Sequence, residues 1–191
     1  MNFPTKLDKD QLSRVPTNRY LRHQYSKTKS MRILTFLLGD QVYGIEFVKI
    51  LETRRFEAIA AVAHLPDCFI GLIDIGESVV PVVDLRARLK LPVIAYGSKT
   101  EIIILKLSNR MVGLAVDSIS DFISTNEAKL VPLPKQPYLI DKKFLFCFAT
   151  GKNQRLILMD IERLMADKAL MSEAEVDILN LLIAPCAVIN V

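Results

Sequence analysis

Long apolar runs are missing from this 191-residue sequence. A membrane-spanning helix needs roughly 20 consecutive apolar residues. The richest apolar stretch, ILNLLIAPCAVINV at residues 178–191, is shorter and is interrupted by asparagine and proline. The first residues, MNFPTKLDKDQLSR, lack the apolar core of a secretory signal. The sequence therefore predicts a cytoplasmic protein without a transmembrane segment.

Cysteine, histidine and the common cofactor motifs are also scarce or absent. Cys68, Cys147 and Cys186 lie far apart without a C-x-x-C pair, which predicts reduced, buried thiols rather than a disulfide or zinc framework. The histidines are His23 and His64, and H-E-x-x-H does not occur. The sequence contains no G-x-x-x-x-G-K-[ST], no G-x-G-x-x-G and no G-x-S-x-G. We therefore expect no metal and no cofactor.

Net positive charge is absent from the body of the chain and is confined to its start. Residues 1–30 carry a net charge of +5, whereas the whole chain carries +4, so the other residues sum to −1. This stretch lacks apolar periodicity, which predicts a basic, disordered tail. A basic tail on a β-barrel leaves a nucleic-acid-binding protein open as an alternative.

The aromatic residues do not favour that alternative. Sites for single-stranded nucleic acid interleave aromatic and basic residues on one exposed face, and the body shows no such stripe, so no nucleic-acid partner is expected. The phenylalanines lie at alternating strand positions or in apolar runs, which predicts core packing for Phe36, Phe122, Phe144, Phe146 and Phe148.

Short strand-like segments begin at residue 31 and are separated by turn residues. MRILTFLL and QVYGIE predict a hairpin around Gly39 and Asp40, and CFIGLIDI and SVVPVVDL predict a second around Gly76. TEIIILKL and RMVGLAVDSISDFIS predict further strands, and LFCFAT and QRLILMD predict a last hairpin. FVKILETR fits a short helix or a strand equally well. Pro81 inside its strand predicts an edge or a bulge.

Helices are predicted mainly at the end of the chain. NEAKLVPLPKQP reads as a proline-punctuated connection, and IERLMADKALM as a helix. Ser172 and Glu175 form a capping box that opens another helix, ending before Pro185. Many short strands followed by helices predict a mostly β protein, a barrel or a sandwich.

Three acidic side chains stand in the apolar stretch GLIDIGESVVPVVDLRARL at residues 71–89. Carboxylates act as acid and base when they converge. Asp84 precedes LRARL, where a helix N-cap is expected, and Glu77 fits a solvated turn. Only Asp74, flanked by isoleucines, lacks such a role. One such carboxylate does not make a catalytic site, so we do not predict an enzyme.

Four segments in order resemble the CheW family of chemotaxis coupling proteins. They are FLLGDQVYGIEFVKILETR, FIGLIDIGESVVPVVDLR, RMVGLAVDSISDFI and LILMDIERLM. The resemblance spans about residues 32–167 and implies two small five-stranded, SH3-like β-barrels packed side by side, with C-terminal helices. The chain then divides into a tail at 1–30, a CheW-like domain at 31–167 and an amphipathic, apolar C-terminal helix at 168–191.

The resemblance implies a non-catalytic adaptor in signal transduction. Family members link the cytoplasmic tips of methyl-accepting chemoreceptors to a CheA-type histidine kinase, and other CheW-like domains in an array are further candidate partners. Receptor contacts carried over by motif position are Ile50, Glu52, Arg54, Gly71 and Phe122, with core packing as the open alternative for Ile50 and Phe122. Family positions of structural importance are Gly39, Asp40, Gly44, Pro81, Asp84, Arg86 and Asp117. The resemblance assigns no kinase-binding residue.

The sequence departs from the family pattern at one turn. Family members carry N-L-R-G where this chain has DIGE, from Asp74 to Glu77. Gly76 replaces the arginine and Glu77 the glycine, which changes the local charge. Cys147 and Ala149 also stand where glycines are expected. A divergent paralogue with a changed or lost partner, for instance in a pilus or motility system, is therefore the alternative function.

Overall fold

The computed structural model describes residues 31–57, 59–60, 67–108, 110–124, 129–131, 133, 138, 140–150 and 155–167. Within these described residues, eleven strands form two sheets. The first sheet has the order β8-β1-β2-β11-β10-β9, and the second the order β3-β6-β7-β5-β4. The strands are β1 (Arg32–Leu38), β2 (Gln41–Glu46), β3 (Ile50–Arg55), β4 (Phe69–Ile75), β5 (Ser78–Asp84), β6 (Glu101–Leu107), β7 (Arg110–Val116), β8 (Ser118–Ser124), β9 (Lys129–Val131), β10 (Leu145–Thr150) and β11 (Arg155–Met159).

The chain leaves the first sheet after β2, builds the whole second sheet, and returns with β8. Most neighbouring strands are antiparallel, but β11 pairs in parallel with β2, and β5 pairs in parallel with β7. Helix α1 (Leu85–Arg88) follows β5, helix α2 (Ile161–Ala166) follows β11, and 3₁₀ turns span Phe47–Lys49 and Lys142–Phe144. The mostly β prediction with two small sheets is confirmed.

Several strands are buried on both faces, which explains why their sequences do not alternate. Successive side chains of a strand point to opposite faces. In β6, Ile103 and Leu105 join the largest core cluster, which also contains Leu34 and Phe36 of β1. The intervening Ile102 and Ile104 join a separate cluster within the second sheet. The largest cluster therefore draws side chains from both sheets and packs them together.

Tight turns close the predicted hairpins. Leu38 pairs with Gln41 and Ile75 with Ser78, so each loop has two residues. Gly39 and Gly76 occupy the first loop position with φ of +62° and +60°. A positive φ at the first position only is the pattern of a type II′ turn, which favours glycine there.

Some sequence predictions need correction. FVKILETR is not one element, since a 3₁₀ turn precedes β3, and the connection after β8 contains β9, which makes the first sheet six-stranded. Of the edge or bulge predicted at Pro81, the edge is wrong, because β5 lies between β7 and β4. The register of the β4–β5 pair does shift, between Phe69 and Gly71 opposite Val83 and Val82. Pro81 pairs with Leu72, whose N–H and C=O bond to Ala60 instead, so this pair requires no N–H from proline. Pairing with β7 starts only at Val82.

Most of the predictions for the two ends of the chain concern residues outside the described ranges. Helix α2 covers Ile161–Ala166 of the predicted IERLMADKALM helix. The basic tail at 1–30, the capping box at Ser172 and the C-terminal helix at 168–191 lie outside the described residues. So do His23, His64 and Cys186.

Candidate functional site

Strand β3 presents an ion pair on its exposed side. Glu52 and Arg54 are two residues apart, so their side chains lie on the same face of the strand. The Arg54 Nε donates to Glu52 Oε1, and the two side chains are 45% (Arg54) and 40% (Glu52) exposed. Arg54 Nη1 also donates to the backbone carbonyl of Asp74 at 3.1 Å. Because β3 and β4 are the two outer strands of the second sheet, Arg54 connects its open edges.

A cleft opens beside Arg54 between these two strands. Its lining combines the buried Ile73 and Ile102 with charged side chains. The charged members are Arg54, Arg55, Glu57 and Asp74. An apolar floor with charges of both signs around it can bind a protein segment that carries apolar and charged side chains together.

Gly71 lies in β4, where the backbone of a neighbouring segment passes very close. A Cβ at this position would stand 2.3 Å from the carbonyl oxygen of Ala60 and 2.6 Å from Ile59 Cγ2. Gly71 is buried, so the structure gives it a packing role. A substitution here would displace the segment at Ala60.

The turn at Gly76 and Glu77 is exposed, as is Asp74 in the preceding strand. No atom lies within 4 Å of the position that a Cβ of Gly76 would take. A side chain at position 76 would therefore project into solvent, where a partner could contact it. Asp74 and Glu77 do not share an environment with Asp84, which is 4% exposed.

The two carried-over apolar residues differ in burial. Ile50 is half-buried and packs against the largest core cluster. Phe122 in β8 is 44% exposed, so the prediction that it is core is wrong. Its ring meets Phe47 edge-to-face with centroids 5.3 Å apart. Since Phe47 begins the 3₁₀ turn that leads to Ile50, this contact brings Phe122 to the start of β3.

The predicted N-cap at Asp84 is confirmed. Its Oδ1 accepts from the N–H groups of Arg86 at 2.8 Å and Ala87 at 3.2 Å, and its Oδ2 accepts from the Tyr96 hydroxyl at 2.8 Å. Burial, followed by the hydrogen bond to Asp84, raises the pKa of Tyr96 above its ordinary value. Both carboxylate oxygens of Asp84 are thus engaged in structure.

Arg86 and Asp117 join the two sheets. Arg86 Nε donates to Asp117 Oδ1 at 2.6 Å and Nη2 donates to Oδ2, while the Gly39 N–H donates to the same Oδ2 at 2.6 Å. Burial alone would raise the pKa of Asp117, but the hydrogen bonds from Arg86 and Gly39 hold it below its ordinary value. The hydrogen bond to Asp117 in turn raises the pKa of Arg86.

The other family positions have packing roles. Gly44 is buried in β2, where a Cβ would stand 2.6 Å from Ile33 Cγ2 and 2.9 Å from Leu156 Cδ1. Asp40 is exposed in the β1–β2 turn, and Pro81 is buried. Of the two positions in β10 where glycines are expected, Ala149 is fully buried and Cys147 packs at the edge of the same small cluster. Burial raises the pKa of the Cys147 thiol to about 12.

Sequence reasoning missed two arginines that hold helix α2. Arg88 is 3% exposed and donates to the carbonyls of Leu164 at 3.0 Å and Asp167 at 3.1 Å, while Arg110 donates to Met165 at 2.6 Å. Cations favour the carbonyl end of a helix. Burial, together with the nearby charge of Arg88, lowers the pKa of Arg110. The one signal in the sequence was the spacing of Arg88, which stands three residues after the buried Leu85 and so lies on the same face of α1.

Within the described parts of the chain, no three His, Cys, Asp or Glu side chains are grouped so that they could hold a metal ion. The helices described there include none long and apolar enough to cross a membrane.

The structure therefore divides the carried-over positions into two neighbouring groups. Glu52, Arg54 and Asp74 meet across the open edge of the second sheet. Phe122 meets the Phe47–Lys49 turn that precedes Ile50. Gly71 serves the packing of β4 instead.

Comparison with known proteins assigns the sequence to a family. The CheW-like domain model matches residues 32–169. "Chemotaxis protein CheW" of Klebsiella aerogenes is 30% identical over 142 residues, covering 74% of this chain and 86% of the relative. "Probable chemotaxis protein CheW" of Rhizobium etli is 24% identical over 135 residues, covering 71% and 87%.

A solved structure supports the fold independently. The crystal structure of the scaffolding protein TtCheW from Thermoanaerobacter tengcongensis has a TM-score of 0.63 at 23% identity, covering 73% of this chain and 94% of that chain. At this identity the likeness concerns the fold alone. Because the family model matches most of the chain, this protein belongs to the CheW-like domain family.

Proposed function

We propose that this protein is a non-catalytic adaptor that couples methyl-accepting chemoreceptors to a CheA-type histidine kinase. The name of the similar protein from Klebsiella aerogenes, chemotaxis protein CheW, supports a role in chemotaxis coupling. No cofactor is needed for such a role.

The receptor site in this proposal is the exposed side of β3 with the adjoining cleft. The observation that carries it is the Arg54 bridge, which holds Glu52 by its carboxylate and β4 by the Asp74 carbonyl. Leu51, 47% exposed beside this pair, adds apolar surface. It lies where the β3–β6 register shifts between Ile50 and Glu52. Apolar surface beside charges is the composition that gives an adaptor both affinity and choice of partner.

The Arg54→Glu substitution tests this site. It removes the bond to Asp74 and places two like charges next to each other on β3, so a partner that fits the natural pair should bind at least about tenfold more weakly. The measurement is calorimetric titration of the full chain with the purified cytoplasmic fragment of a chemoreceptor from the same host.

Arg163→Glu is the matched control, since the Arg163 side chain is exposed on α2 and takes part in none of the ion pairs among the described residues. It should leave the affinity unchanged. Equal affinities for the natural chain, Arg54→Glu and Arg163→Glu would remove β3 from the receptor site. Melting temperatures of all three proteins establish that they are folded.

A changed partner set is the second candidate, and the turn at Gly76 favours it. The family arginine is absent there, and its replacement leaves an exposed turn with Glu77 beside it. A partner protein that binds the family arginine would lose that contact with this chain. In this alternative the chain remains an adaptor but serves a different chemosensory system.

A further inference from the structure

A second exposed feature lies on the first sheet, next to the start of β3. It consists of Arg32, Phe47, Val48 and Phe122, which we call the aromatic patch. The Arg32 guanidinium carbon lies 4.3 Å from the centroid of the Phe47 ring and 5.3 Å from that of Phe122. The two rings meet edge-to-face. One cation is thus held over two aromatic rings by attraction to their π faces.

The charge of Arg32 is not neutralised by the described part of the protein. No described carboxylate lies within 4.0 Å of its guanidinium, whereas Arg54, Arg86, Lys49 and Lys143 all have carboxylate partners. A contact with ring faces uses none of the guanidinium N–H groups as hydrogen-bond donors. They therefore remain available for the two-pronged bond that arginine makes with a carboxylate.

The rest of the patch is apolar and exposed. Val48 is 83% exposed, more than any other large apolar side chain in the described residues, and Phe122 is 44% exposed. Exposed aliphatic and aromatic groups around a positioned cation match a partner surface with an acidic residue among apolar ones. The rings also reduce the freedom of Arg32 before binding, so less conformational entropy is lost when a carboxylate arrives.

The patch continues directly into the proposed receptor site. Phe47 and Val48 belong to the turn that runs into Ile50, and Phe122 contacts Phe47. A helical partner lying along β3 would therefore reach the patch at one end.

We infer that Arg32, held over Phe47 and the carried-over receptor contact Phe122, binds a carboxylate of the chemoreceptor tip. This inference rests on the proposed function. It makes Arg32 a specificity-determining residue of this chain, because a receptor that lacks the acidic residue leaves the patch without its charged partner. Arg54 serves the β4 side of the site, and Arg32 the β8 side.

The test compares Arg32→Gln and Arg32→Lys with the natural chain, using the same receptor fragment and calorimetry at low and at physiological ionic strength. Arg32→Gln should bind about tenfold more weakly and should depend less on salt, because one attractive charge is lost. Arg32→Lys should retain the salt dependence but only part of the affinity, because an ammonium cannot make the two-pronged bond. Arg163→Gln is the matched control and should change neither quantity.

Val48→Ser guards against misreading a folding defect, since so exposed a side chain contributes little to the core. It should weaken binding severalfold without lowering the melting temperature. If Arg32→Gln and Val48→Ser both bind as tightly as the natural chain while Arg54→Glu is weakened, the patch is excluded and the β3 site stands. If the natural chain does not bind the receptor fragment at all, the proposed function fails and the inference fails with it.

Discussion

At the scale of single residues, Asp117 makes the contacts that join the two sheets. Its carboxylate accepts from Arg86, next to α1, and from the Gly39 N–H in the β1–β2 turn. Since the pKa of Asp117 is lower in the folded chain than its ordinary value of 3.8, the ionised form is favoured by folding. Its contribution to the free energy of unfolding is therefore present above about pH 4 and is lost as the pH falls through the lowered value.

Asp117→Asn tests this assignment. Removing a partner from a partly buried charged hydrogen bond should lower the free energy of unfolding at pH 7 by about 1.5 kcal/mol. The variant should also lose less stability than the natural chain when the pH falls below about 4. Urea unfolding at pH 7 and at a pH below about 4 measures these changes. Asp67→Asn, at an exposed position, is the control. Identical acid sensitivity of the natural chain and Asp117→Asn would contradict the assignment.

At the scale of elements, the β4–β5 hairpin has its glycine one position earlier than the N-L-R-G turn that the family resemblance implies. Gly76 takes the positive φ at the first loop position, whereas the family motif has its glycine second. The family arginine at position 76 would thus adopt a left-handed conformation if only that residue were restored. The surrounding space would not resist it, because nothing lies within 4 Å of the Cβ position.

Gly76→Arg alone should therefore destabilise the protein by about 1 kcal/mol, the cost of a left-handed conformation for a residue with a Cβ. The double substitution Gly76→Arg with Glu77→Gly should recover most of this loss, because glycine then stands at the second loop position. Thermal unfolding of both variants measures the difference. A double variant no more stable than the single one would show that the turn cannot change type. Stronger receptor binding by the double variant would favour the alternative of a changed partner.

At the scale of the whole molecule, local signals predicted much of the fold. The hairpins around Gly39 and Gly76 follow from turn residues between strand-like runs, and the N-cap at Asp84 from its place before LRARL. The edge position of Pro81 could not be judged, because the order of strands depends on pairing between distant segments. Strand β9 was not predicted, because it is short and is followed directly by a proline-rich segment.

Less of the candidate site than of the fold could be predicted from the sequence. Motif position predicted Glu52, Arg54 and Phe122 as separate receptor contacts, without placing them relative to one another. It did not reveal that Arg54 reaches the Asp74 carbonyl or that Arg32 lies over Phe122, since these contacts join segments that are far apart in the sequence. The contact of Arg32 with Phe47 continues the register of the β1–β2 hairpin, in which Ile33 pairs with Glu46. Nor could an apolar residue in a strand, such as Phe122, be recognised as exposed before its sheet position was known.

The most direct test of the central claim is a co-sedimentation measurement with three components. They are membranes containing a host chemoreceptor, the CheA-type histidine kinase of the same host, and the full chain described here. The account predicts that the kinase sediments with the receptor membranes in much larger amount when the chain is present, and that the chain sediments with it. Kinase sedimentation that does not change on adding the chain, with the chain left in the supernatant, would contradict the coupling role.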